Sequence, residues 1–108
     1  MNAKRKPTAR AAAKQRSEAP RHPVVERSQT GVRLEKRLLK VLKGLAEYHD
    51  ITLGDLLEGI CLHAFEGKCA FSKKSLTTIN NLKGIYGLDL TAADSHRLVE
   101  PGVPRGEK

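Results

Sequence analysis

"QTGVRLEKRLLKVLKGL", residues 29–45, changes its period partway along. If residues 29–34 are extended, side chains alternate, so Thr30, Val32 and Leu34 point one way and Gln29, Gly31 and Arg33 the other. That gives one apolar and one polar edge. From Leu38 onward the spacing is helical: Leu38, Val41, Leu42, Leu45 and Ala46 share a face, while Lys36, Lys40, Lys43 and Glu47 fall mostly elsewhere. Gly44 weakens that helix by about 1 kcal/mol relative to Ala. A lone strand leaves its N–H and C=O groups unpaired and invites another chain; the economical partner is a second copy.

Downstream, "YHDIT" reads as a turn, and Thr52 as the N-cap of a second helix with Asp55 in its first turn, where a carboxylate suits the helix dipole. Leu53, Leu56, Leu57, Ile60, Cys61, Ala64 and Phe65 keep helical spacing until Gly67. A third helix is predicted after Ser72, with Leu76, Ile79, Leu82 and Ile85 on one face and Gly87 as its stop. "LDLTAADSHRLVE" offers a weaker fourth, with Thr91 as cap and Asp94 at the third helical position. Pro101, Gly102 and Pro104 end ordered structure, and no internal repeat is present.

Upstream, residues 1–28 hold eight Lys or Arg against Glu18 and Glu26, a net of +6 out of the chain's +8. Residues 1–27 have no sustained apolar period and are expected to be disordered in isolation, with "ARAAAKQR" able to turn helical on a partner. A basic arm on a nearly neutral domain suits a polyanion, because Lys and Arg displace the counterions condensed on phosphate; the bland counterpart is a solubilising tail. With two Phe, two Tyr and no Trp there is no row of rings on which single-stranded bases could stack. The 108 residues suffice for one small core built from aliphatic side chains. Two cysteines make no disulfide framework, no secretory h-region precedes them, and no apolar run approaches the roughly 18 residues of a membrane span. The arm's Arg-rich, acid-poor make-up suggests a transit peptide, but Pro7, Pro20 and Pro23 interrupt any long amphipathic helix. A cytoplasmic, nucleoid-associated protein with reduced cysteines is the expectation.

The stretch "GVRLEKRLLKVLKGLAEYHDITLGDLLEGICLHAF", residues 31–65, resembles the ribbon-helix-helix (Arc/Met repressor-like) DNA-binding family in its V-R-L strand, L-x-x-L-A helix end and T-x-x-D helix start. The likeness covers about a third of the chain. It implies a mainly α fold: a ribbon-helix-helix domain over residues 28–67 whose short strand pairs in a homodimer, a C-terminal helical extension over 68–100 and a flexible tail over 101–108. It implies a ribbon in the major groove of double-stranded DNA, with Gln29, Gly31 and Arg33 facing bases. Arg33 would pair with guanine and Gln29 with adenine. Gly31 departs from the polar side chain usual at that position, so modest base selectivity is expected, with Lys4, Arg5, Lys6 and Arg10 of the arm supplying phosphate contacts. The N-terminus of the second helix, at Thr52, Leu53 and Gly54, would hold a further phosphate. Val32, Leu34, Leu38, Leu42, Leu45, Leu56, Leu57 and Ile60 would form the dimer core. The implied function is sequence-specific or semi-specific DNA binding by a homodimeric transcriptional regulator, either a repressor or an accessory DNA-binding protein.

The alternative is a protein-interaction or antitoxin-like module in which residues 68–100 bind a partner protein. Enzyme readings are weaker. Cys61, His63 and Cys69, with His49 or His96, match no standard zinc spacing, and Cys61 is expected to be buried and His63 solvated. Asp89, Ser95 and His96 are triad residue types, but adjacent Ser and His on a helix diverge by about 100° and no nucleophile elbow accompanies them. Lys73, Lys74 and Lys83 beside Thr and Asn read as the wet face of a packed helix. No enzyme activity, cofactor or metal is expected.

Overall fold

The computed structural model describes residues 22–102. The chain divides into two units, Met1–Gly31 and Val32–Lys108. In the first, residues 22–31 are exposed and carry no regular secondary structure. The second contains α1 (Lys36–His49), α2 (Leu53–Phe65), α3 (Lys73–Tyr86) and a 3-10 turn (Ala92–Asp94).

The expected strand is absent: among the described residues no segment is β, and 29–34 have no sheet partner. The ribbon-helix-helix fold class is therefore corrected to a three-helix unit. Sheet structure belongs to pairs of segments. Alternation of Thr30, Val32 and Leu34 makes an extended backbone affordable, but no other described segment supplies the matching ladder. The inward face is missing too, since Val32 is 72% and Leu34 40% exposed.

Each helix has a local reason to start and stop. Glu35 caps α1, its carboxylate accepting the Leu38 N–H at 2.8 Å. Thr52 and Ser72 cap α2 and α3 by accepting the N–H groups of Asp55 at 3.0 Å and Ser75 at 3.1 Å. At the other ends, Asp50, Gly67 and Gly87 adopt positive φ, and the N–H groups of Ile51, Lys68 and Leu88 bond back to the carbonyls of Ala46, His63 and Lys83. All three ends thus share the 6→1 bond of a Schellman motif, with Asp50 taking the left-handed position that Gly fills in the other two. The fourth predicted helix is only the 3-10 turn, held where the Asp94 carboxylate accepts the Thr91 N–H at 2.8 Å.

Helix α1 is central, with α2 and α3 both packed on it and no close backbone approach between those two. Contacts of Arg37 with Gly87, Gly44 with Leu82 and His49 with Ser75 run α1 and α3 antiparallel. Val41, Leu45, Ala46 and Leu56 are the buried apolar residues, with Leu42, Ile60, Phe71, Ile79 and Leu82 packed around the cluster of Leu45, Ala46 and Leu56. Gly44 matters here: a Cβ at this position would lie 2.9 Å from Leu82 Cδ2, so its lack of a side chain lets α3 approach α1. Because α2 and α3 stand apart, an apolar groove of about 560 Å³ opens over α1, lined by residues including Leu38, Leu42, Leu57, Ile79, Leu90 and Leu98.

Candidate nucleic-acid interface

The basic residues of the second unit concentrate on the segment entering α1 and on α1 itself: Arg33, Lys36, Arg37, Lys40 and Lys43, against Glu35 and Glu47. Helical spacing puts Lys36, Lys40 and Lys43 on the side away from the leucines, and all three are exposed. Lys40 lies over the Tyr86 ring, 5.7 Å from its centroid, a cation–π contact that ties the stripe to the end of α3.

The two arginines are differently engaged. Arg37 is fixed three ways, donating to Glu35 at 3.0 Å, to the Gly87 carbonyl at 2.8 Å and to Asp89 at 3.0 Å. The Leu38 N–H, and with it the Arg37 side chain, holds the Glu35 carboxyl below its usual range. In return the hydrogen bond that Arg37 donates to Glu35, helped by Asp89, raises Arg37 above its ordinary value. Among the described residues Arg33 has one partner, Glu100, and remains 77% exposed in its side chain.

Gln29 and Gly31 are exposed in the first unit, and Arg33 in the second. Their grouping on one edge depended on strand alternation, and with no strand that geometric reason is gone. Lys4, Arg5, Lys6 and Arg10 lie outside the described residues. At the start of α2, Thr52 and Gly54 are exposed and Leu53 half-buried. The Thr52 hydroxyl is taken by the Asp55 N–H, and the exposed Asp55 carboxylate puts negative charge in the same first turn, which opposes a phosphate there.

Of the expected dimer core, Leu45 and Leu56 are buried and Leu42, Leu57 and Ile60 are partly so, whereas Val32, Leu34 and Leu38 are open to solvent. Cys61 is exposed rather than buried, because α2 turns only the Leu56 side fully into the core. His63 is exposed, its Nδ1 at 2.8 Å from the Gly59 carbonyl oxygen. Among the described residues no three His, Cys, Asp or Glu side chains gather as a metal site. Ser95 and His96 fall in the turn after the 3-10 turn instead of on a helix, and Asp89 is committed to Arg37.

Several structural residues had little or no signal in the sequence. Ser75 is buried, with its Oγ 3.0 Å from His49 Nε2, and joins the start of α3 to the end of α1. Asp89 and Glu100 meet arginines more than fifty positions earlier. Only Glu35 was open to detection, three residues ahead of Leu38, although Glu is not among the preferred caps. No described helix is long and apolar enough to cross a membrane. No family model, curated protein or solved structure matches the chain.

Proposed function

We propose that this chain binds double-stranded DNA as a homodimer and acts as a transcriptional regulator, a repressor or an accessory DNA-binding protein, in the cytoplasm at the nucleoid. The observation that carries the reading is the distribution of charge: +6 in residues 1–28, followed by a helical unit with Lys36, Lys40 and Lys43 on one exposed stripe of α1. The arm then supplies affinity through phosphates, with Lys4, Arg5, Lys6 and Arg10 as contacts, and Lys36, Lys40 and Lys43 supply further ones. Arg33, exposed just ahead of that stripe, is the further cation offered to the DNA.

The second copy is argued from apolar surface. Four buried apolar residues are a small core for the described residues 22–102, and an open groove of leucines runs beside them. Charge suits self-pairing at the groove: Lys83 of α3 lines it, while α2 carries Asp55 and Glu58 as its formal charges. In a two-fold pair, the α2 of each copy meets the α1–α3 side of the other.

The test is a fluorescence-anisotropy titration of the full chain on duplex DNA across a salt series. The wild type should bind with affinity falling steeply as salt rises. Changing Lys4, Arg5, Lys6 and Arg10 together to Gln should flatten the logarithmic slope by up to about 3 to 4, roughly 0.9 per lost phosphate contact. Absence of binding to any duplex at low salt would refute the reading.

A further inference from the structure

The two arginines at the entrance to α1 both meet acids from the far end of the unit. Arg37 binds the root of the C-terminal segment, at the Gly87 carbonyl and at Asp89. Leu98 and Leu34 line the same groove, which brings the later part of that segment back beside the chain entering α1. Two residues further on, the Glu100 carboxylate pairs with the Arg33 guanidinium across 67 positions of sequence. Among the described residues Arg33 has no other hydrogen-bond or ion-pair partner.

We propose that residues 87–100 act as an intramolecular brake on DNA binding, in which the Glu100 carboxylate occupies the site on Arg33 that a DNA phosphate or guanine edge must take. The inference rests on the DNA-binding reading. Both groups are acceptors presented to the same guanidinium fork, so Arg33 cannot serve Glu100 and DNA through the same N–H groups. Arg37, fixed by three acceptors, anchors the segment, and Leu98 seats it. The side chains of the outer pair are 77% and 51% exposed. Exposed pairs of this kind are weak, so Glu100 competes with DNA without locking it out. The brake sets a threshold: a strong site displaces the carboxylate, and weak sites are penalised.

The experiment uses the full chain on one duplex, in anisotropy titrations over a salt series, with Glu100→Gln, Arg33→Gln, the double variant and Glu47→Gln. Glu47→Gln makes the same change in net charge on α1, at a side chain that pairs with neither arginine. Glu100→Gln should tighten binding roughly two- to five-fold beyond the Glu47→Gln control and steepen the logarithmic salt slope by about 1. In the Arg33→Gln background that gain should vanish. A gain no larger than the control's, or one that survives Arg33→Gln, overturns the brake while leaving DNA binding intact. Failure of every variant to bind overturns both.

Discussion

Glu35 sits at the join between the extended entry segment and α1, and it does two jobs there. Its carboxylate caps the helix through the Leu38 N–H and also accepts from Arg37, the residue that holds the C-terminal segment. Both contacts favour the ionised form, so the folded-state value is depressed. The linked stability is therefore present above the ordinary glutamate range and drains away as pH falls through the depressed folded value. Thermal melts of wild type and Glu35→Gln should differ at neutral pH and converge in acid. A constant gap at every pH would show that the charge of Glu35 contributes nothing. The residue scale also shows why Ser75 and Asp50 escaped notice. A serine near a helix start reads as a cap, and only the tertiary structure brings His49 to the buried Ser75 hydroxyl. Asp50 reads as an ordinary turn residue, and its positive φ becomes visible only with the backbone.

Among the elements, α2 and α3 were legible almost residue by residue, because Thr52, Ser72, Gly67 and Gly87 act on N–H and C=O groups within a turn of themselves. The span of α1 was less so, since Glu is an unusual cap. The strand was misread because its evidence was local while its hydrogen bonds are not. Gly44 is the instructive intermediate: its propensity cost was readable, and its use was not. Packing of α3 against that glycine explains why a poor helix former sits in the middle of the central helix. Replacing Gly44 with Leu should lower stability by roughly 1 to 3 kcal/mol through overpacking against Leu82, despite Leu's better helix propensity. Denaturant unfolding measures it; a Gly44→Leu protein more stable than wild type would mean that the α1–α3 contact carries little.

For the whole molecule, the central question is what covers the groove. On α1 the exposed lysines and the leucines lie on different faces, and the leucines are left incompletely covered. Sedimentation equilibrium at micromolar concentration should report a dimer, and Leu57→Glu, which puts a carboxylate into the groove wall, should shift it toward monomer and weaken DNA binding in parallel. A stable folded wild-type monomer at that concentration would remove the self-association part of the proposal while leaving the arm's electrostatics untouched.

What this sequence determined unaided was whatever depends on neighbours within one or two turns: three amphipathic helices, two of their caps and the charge of the arm. Tertiary structure alone decided that residues 29–34 have no sheet partner among the described residues, that α3 closes against Gly44, and that Arg33 and Arg37 are claimed by Glu100 and Asp89. Those outcomes depend on surfaces brought together from distant parts of the chain. Capping and helical period act locally, so a sequence displays them directly, whereas the pairing of a strand, a glycine or an arginine is settled by the group that arrives opposite.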